Sequence, residues 1–435
     1  MRLLLRLALY PTVLLGGTAA ADEGAGHPDR PPVERLVEQL GDANFRTREA
    51  AGKELARRGE EALPALRRAA RDGRPEVRRR AAVLAAALER KVLFAPKRVT
   101  LHFEQRPIAD VVREIARQTG YNLQLPNPPE FPVTVHLDDV PYWEAIDRLC
   151  TVGGLVYNWD DSDGTARLHA QDAVCPYVWH RGPFRMVANN VTTNRTLNLA
   201  FLPRNGWGQN QPPEYLNLAF DVYSEPKVPL LGVGQPRLTR AEDQAGRSLL
   251  PRPQGEGEFY PVFYQPNYFR SHQQQVAVPL FRPSRDSTRA RLVRGTVPVT
   301  VLSEQRPEIT VEKIRTVKDA RFAGAGAELH VEEVNWNNGV LQLTLRVNRR
   351  GKGNPEDYGW ANSLQQRLVV VDAQGKQYQT QINNFMNITP QGIRAGLTFT
   401  APPGQKVGPP ERLVFHRWLS LTHEIDFEFK DVPLP

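Results

Sequence analysis

Apolar residues recur in two different periods along this chain, and the switch between the periods divides it. Over residues 31–92 the period is helical. Val33, Leu36, Val37 and Leu40 mark one face of a short helix that Gly41 ends. A second helix runs from Asn44, a suitable N-cap, to Arg58, with Gly59 after it. Leu63, Leu66 and Ala70 define a third, and Val77, Ala81, Leu84 and Leu88 a fourth that starts near Pro75. Helices this short cannot hide an apolar face alone, so they must stack.

From residue 97 to 170 the two periods interleave. Val99, Leu101 and Phe103 alternate with polar neighbours as a half-buried strand does. Pro107 opens a helix carrying Ile108, Val111, Val112 and Ile115, and Gly120 supplies its stop. Tyr121–Leu125 and the alternating Val133, Val135 and Leu137 follow. A second helix begins at Pro141 with Ile146, Leu149 and Cys150 on its apolar face, and strands near Leu155–Trp159 and Thr165–His169 close the unit. Mutual packing of these stripes predicts one core containing Val99, Leu101, Phe103, Ile108, Val112, Ile115, Val133, Val135, Ile146 and Leu149.

After Cys175 the helical period disappears, and short β runs alternate with Pro, Gly and Asn turns. The second half of this region echoes the first. FRMVANNVTTNRTLNLAF at 184–201 pairs with LHVEEVNWNNGVLQLTL at 329–345, and YLNLAFDV at 215–222 also resembles VLQLTLRV, as if the first half held an extra strand pair. AEDQAGRSL at 241–249 parallels VDAQGKQYQ at 371–379, and ARLVRGTVPVTV at 290–301 parallels ERLVFHRWLSLT at 411–422. The competing account is that β-hairpins look alike at this level. The expected fold class is multidomain α+β: an N-terminal helical repeat at 31–92, a small βαββαβ domain at 97–170, then antiparallel β-sandwich domains at 183–316 and 317–435.

Two family resemblances attach to these segments. VTLHFEQRPIADVVREIARQTGYNLQL followed by VTVHLDDVPYWEAIDRLCTVGGLVYNW resembles the short N-terminal domain shared by secretins and TonB-dependent receptors, the STN domain. That resemblance implies a domain that binds partner proteins in the envelope and catalyses nothing. REAAGKELARRGEEALPALRRAARDGRPEVRRRAAVLAAAL looks like one and a half to two HEAT-type repeats, too few to be stable without a neighbour.

Residues 1–21 read as a secretory signal: Arg2 and Arg6, the apolar run Leu7–Leu15, and a small-residue cleavage site at Ala19–Ala21. Left uncleaved, the same segment would act as a membrane anchor. Export to the periplasm or envelope makes nucleic acid a poor partner, and the net charge of +8 has to be explained otherwise. Between Arg30 and Arg98 there are 18 Lys or Arg against 10 Asp or Glu, so this segment alone carries the excess. Arg67, Arg68, Arg78, Arg79 and Arg80 are then either a solvated helical face or a weak contact with an anionic envelope surface. Export also permits a disulfide between Cys150 and Cys175, although Cys150 fits a plain core position as well.

Candidate chemistry is thin. Asp160-Asp161-Ser162-Asp163-Gly164 fails the calcium-loop register, because Trp159 stands where an Asp is needed; Asp163-Gly164 is a hairpin turn. No HExxH, Cys/His ligand spacing, GxSxG elbow or P-loop occurs, so no catalytic residue, metal or cofactor is assigned. The adjacent pairs Asp138-Asp139 and Glu332-Glu333 point to opposite strand faces and cannot work together. The loop 259–269 crowds Phe259, Tyr260, Phe263, Tyr264, Tyr268 and Phe269 around two prolines, and Trp207 sits in an Asn-Gly-Trp-Gly loop. Such rings either fold back as a lid or bind peptide or sugar. The first expectation is thus an exported, non-enzymatic scaffold for protein contacts with envelope proteins. Its alternatives are a glycan- or peptide-binding protein, hydrolytic in one version, using loop 259–269, and a subunit of a secretin or TonB-type system. The last lacks the run of roughly ten-residue amphipathic strands that a membrane barrel needs.

Overall fold

The computed structural model describes residues 31–160, 164–171, 175–194, 215–251, 270–350, 363–389 and 391–435. These residues form a mixed α+β chain, helical at first and then built of antiparallel sheets. They make two compact units, one ending at Val92 and the other Leu93–Pro435. The expected export signal lies outside the described residues.

The first unit contains α1 (Val33–Gln39), α2 (Phe45–Arg58), a short 3-10 turn, α3 (Leu63–Asp72) and all but the last two residues of α4 (Pro75–Phe94). Asn44 caps α2 as its residue type suggests, its side chain accepting from the Arg46 amide at 2.8 Å. Gly59 follows the last turn at φ +61°, a conformation that costs a side-chain-bearing residue more. Val33, Leu36 and Leu40 meet Ala51, Leu55, Leu63, Leu66, Ala81, Ala85 and Leu88 in one core. Leu84 departs from the expected stripe: it is only half-buried.

In the second unit a small domain is built from β1 (Arg98–Pro107), α5 (Ile108–Thr119), β2 (Leu123–Gln124), β3 (Pro132–Pro141), α6 (Tyr142–Gly153), β4 (Leu155–Asp160) and β5 (Thr165–Ala170). β1 pairs antiparallel with β3, while β5 lies between β2, its parallel partner, and β4. Helix α5 packs on β1 and β2, and α6 on β3 and β4. Gly120 and Gly154 end the two helices in the left-handed conformation. Val99, Leu101, Ile108, Val112, Ile115, Val133, Val135, Ile146 and Leu149 share one core, with Phe103 at its margin.

The remaining strands are β6 (Val178–Arg181), β7 (Phe184–Asn194), β8 (Tyr215–Ser224), β9 (Leu230–Val233), β10 (Arg237–Asp243), β11 (Gln273–Phe281), β12 (Arg289–Glu312), β13 (Ala320–Ala323), β14 (Ala327–Asn337), β15 (Val340–Arg349), β16 (Leu368–Asp372), β17 (Gln379–Ile388), β18 (Gly392–Thr400) and β19 (Pro410–Pro433). One sheet runs β6-β7-β8-β11 and another β13-β14-β15-β18-β17; each sets three consecutive strands beside a later one, and β17 extends the second sheet. Between them lies a third sheet whose spine is the β12–β19 pair, in register from Arg289↔Pro433 to Glu312↔Arg412. Its two ends belong to different cores. Val293, Val297, Val299 and Val301 join Ile425, Phe427 and Phe429 against the β6–β11 sheet. Ile309 and Val311 join Leu413 and Phe415 against the β13–β18 sheet. Bulges at Leu302/Glu304 and Pro307/Ile309 fall between the two. Neither core is therefore confined to the sequence segment 183–316 or 317–435. Gly295 is required where β10 crosses closely: a Cβ there would lie 2.4 Å from the Arg237 carbonyl oxygen.

The strand–turn–strand echo has a common geometry. Asp243 Oδ1 accepts from the amides of Ala245 and Arg247 at 2.9 and 2.8 Å. Asp372 Oδ1 accepts from those of Gln374 and Lys376 at 2.9 and 2.8 Å. Gly246 and Gly375 take φ +78° and +83° in the two bends. Asp243 is fully enclosed. Burial works to raise its pKa, and the Ser287 hydroxyl, the Arg247 amide and the Arg247 guanidinium outweigh that, holding it at about 2.

Candidate interaction surfaces

A cluster of buried ionisable side chains lies where the small domain meets the first β core. Asp147 stands on α6 one turn after Trp143 and one turn before Cys150, an acid on an otherwise apolar stripe. Arg185 at the start of β7 reaches it with Nε at 2.9 and 3.0 Å and Nη2 at 2.7 Å. His180 of β6 completes the cluster, its Nε2 lying 2.6 Å from Asp147 Oδ2. The Arg185 guanidinium also lies 5.8 Å from the Trp143 ring and 5.1 Å from that of Tyr223. Burial works to raise the Asp147 pKa, but the His180 hydrogen bond and the Arg185 charge prevail and hold it low.

A second cluster flanks the first. Glu225, fully buried just past β8, accepts from the Tyr121 hydroxyl at 2.7 Å and the Lys97 amide at 3.1 and 3.2 Å. Burial raises its pKa despite these donors. Trp143 Nε1 donates to the Pro183 carbonyl at 2.9 Å, and the Trp159 and His272 rings lie 4.2 Å apart. Val187 and Tyr223 of the sheet count among the small domain's own core residues. All these groups spend their charge or hydrogen bonds on one another across the junction. The arrangement ties the small domain to the first β core. Sequence reasoning missed it, and the one available signal was Asp147 on the apolar stripe of α6.

The cysteines are a correction. Cys150 and Cys175 are both free. Cys150 is sealed into the small-domain core, where burial pushes its thiol up to about 12. Cys175, packed at the margin of the same core, instead donates its Sγ hydrogen to the Ala188 carbonyl at 3.2 Å. Trp207, Tyr260, Tyr264 and Tyr268 lie outside the described residues.

Of the five singled-out arginines, four are paired. Arg67 meets Glu89 at 2.7 Å and Arg68 meets Glu34 at 3.4 Å. Arg79 pairs with Glu76 at 2.8 Å, and Arg80 bridges Glu76 and Glu49 at 2.7 and 3.0 Å. Arg78 is exposed and makes no ion pair with a described residue. Internal pairing thus absorbs much of the charge that the sequence assigns to this face.

On the same unit a groove of about 490 Å³ opens between α2 and α4. Leu40, Gly52, Ala56, Val83 and Leu84 make its apolar lining, and Arg48, Glu49, Lys53, Arg79 and Arg80 its polar rim. Val83 is 66% exposed although it is a large apolar residue in mid-helix. Among the described residues no group of three or more His, Cys, Asp or Glu is placed to hold a metal ion, and no helix is long and apolar enough to cross a membrane. His102 and His136 face each other across β1 and β3, their rings 6.3 Å apart and their neighbours Asp138 and Glu104 at 3.3 and 3.8 Å.

Residues 18–87 match the family of HEAT repeats, which agrees with the stacked helices of the first unit. No curated protein matches the chain. A crystal structure of a conserved domain protein from Bacillus anthracis aligns with 57% of this chain and 88% of that one, at 11% identity and a TM-score of 0.15, which is too low to carry an argument.

Proposed function

We propose that this chain is an exported, non-enzymatic scaffold of the cell envelope. In this reading its HEAT-like segment, an STN-like domain at 97–170 and two related β-sandwiches present faces to other envelope proteins. The observation that carries the reading is the inward use of the buried ionisable groups. Asp147, Arg185, His180 and Glu225 satisfy one another, or Tyr121 and the Lys97 amide, across a domain junction. A chain that spends its buried charge on holding domains in fixed relation suits a frame for contacts better than a reaction centre. The two helices packed on two small sheets in 97–170 also support the STN-like assignment.

The test uses the chain from Asp22 onward, immobilised and exposed to envelope extract. Saturable capture of the same one or few envelope proteins is expected, together with export of a reporter fused after Ala21. Retention of that reporter in the cytoplasm would overturn the envelope assignment. Turnover of a glycan or peptide, lost when Tyr260, Tyr264 and Tyr268 are changed to Ala, would overturn the non-enzymatic one.

A further inference from the structure

We infer that the groove between α2 and α4 is a docking site for an amphipathic helix with acidic flanks, supplied by a partner protein. The inference rests on the scaffold reading and names the partner chemistry of one of its faces. The first observation is the floor. Gly52 lies inside α2, where glycine is among the least favourable residues. Its backbone is not in the left-handed region, and a Cβ there would meet Leu84 Cδ1 at 3.8 Å and Leu40 Cδ2 at 3.9 Å, which are ordinary contacts. Neither backbone nor sterics demands glycine at this position. What its missing side chain does is keep the groove open beside Ala56, Val83 and Leu84.

The second observation is shape. Gly52 and Ala56 are one turn apart on α2, and Arg80 and Leu84 one turn apart on α4, so the groove is bounded by two helical ridges. A third helix seats its own ridge between two others at an interaxial distance of about 8–10 Å. Apolar side chains spaced by three and four residues would then reach Val83 and Leu84.

The third is charge. The rim holds four cations, Arg48, Lys53, Arg79 and Arg80, against one carboxylate, Glu49. Glu76 and Glu49 neutralise Arg79 and Arg80. Lys53 makes no ion pair with a described residue, and Arg48 spends one nitrogen on the carbonyls of Asp42 and Ala43 while its Nε stays unpartnered. The α2 rim is therefore left positive beside an exposed apolar strip. Asp and Glu flanking an apolar helix face would complete both, whereas a basic helix would be repelled.

The probe is a fluorescein-labelled model peptide with Leu at helical spacing and Glu on its flanks, compared with a twin carrying Lys in place of Glu. Fluorescence anisotropy with the full chain from Asp22 onward is expected to show the Glu peptide binding at least tenfold tighter. That preference should shrink as added salt shortens the Debye length from about 30 Å to about 8 Å. Gly52→Leu, which fills the floor, should weaken the Glu peptide tenfold or more. Lys53→Glu should erase the preference without touching the floor, which keeps the test valid if the first variant misfolds. Equal binding of both peptides, no binding of either, or full binding by Gly52→Leu would each overturn the inference. So would a dimer of the free chain that Gly52→Leu disrupts, since the groove would then hold a second copy. If Gly52→Leu binds the Glu peptide as the wild type does while envelope capture persists, the groove assignment fails and the scaffold reading stands.

Discussion

Ile115 is fully buried on α5, in contact with a core that two helices and two sheets build together. Truncating it removes apolar surface from water and leaves a cavity that rigid neighbours cannot close, so Ile115→Ala should cost about 2–5 kcal/mol in denaturant unfolding. His102 lies on the outer face of β1 with its ring largely in water, and its contact with Asp138 is a surface pair. His102→Ala should therefore change stability by less than about 1 kcal/mol. This contrast was legible in the residues, because the period-2 and period-3.6 stripes name which side chains point inward. His272 was not legible. It follows a segment outside the described residues, and its enclosure by Trp159 and Ser224 comes from distant parts of the chain. Burial, and after it the charge of Arg270, push its pKa down to about 4 from 6.5. Below pH 6.5 the unfolded chain takes up a proton that the folded chain refuses until pH 4. Stability should thus fall as pH drops through that window, and His272→Gln should flatten the slope there. Neighbouring Glu225, whose pKa is raised, works in the opposite direction, so the readout is the difference between wild type and variant, measured by chemical denaturation at several pH values.

Helix α6 shows how an element gains a second task from its neighbours. Its sequence signals of an opening Pro141 and an apolar stripe are enough to place it, and the structure keeps both, with Gly154 as its C-cap. Asp147 on that stripe is unfavourable for an isolated helix packed on its own domain. It is accounted for only by Arg185 and His180, which arrive from β7 and β6 more than thirty residues later. The small domain was readable because its stripes are local; the junction was not, because a buried ion pair has no periodicity. The same limit explains the cysteines: their proximity in sequence favours pairing, yet both are free, and Cys175 Sγ turns to the Ala188 carbonyl. Removing one member of a buried pair strands the other, at a typical cost of about 3–5 kcal/mol. Arg185→Met should lose that much, measured by urea unfolding, and Asp147→Asn added to it should cost less than the sum of the two single changes. Full additivity would mean that Arg185 works through Trp143 and Tyr223 alone.

At the scale of the whole Leu93–Pro435 unit, strand exchange between sequence segments decides stability. The echo between 290–301 and 411–422 was visible as similar strings, but strings do not reveal that the two strands pair with each other along their length. In the structure β12 runs from the first core into the second and β19 runs back. The last residues of the chain therefore finish the first β core. Ile425, Phe427, Phe429 and Val432 lie beside Phe220, Val293 and Val297, with the Phe220 and Phe427 rings 5.0 Å apart. If the sandwiches were consecutive in sequence, deleting residues 425–435 would harm the second and spare the first. The paired ribbon implies the reverse. Removing Phe427 alone should cost about 3–5 kcal/mol, and losing the whole segment exposes the edge of β12 over its first half. Hydrogen exchange on the chain ending at Glu424 should show protection lost in β7, β8 and β11. It should persist in β14, β15 and β18, whose partners Ile309, Val311, Leu413 and Phe415 remain. Protection lost in the second set and kept in the first would show that each sandwich closes on its own segment, and the β12–β19 spine would then be secondary to both.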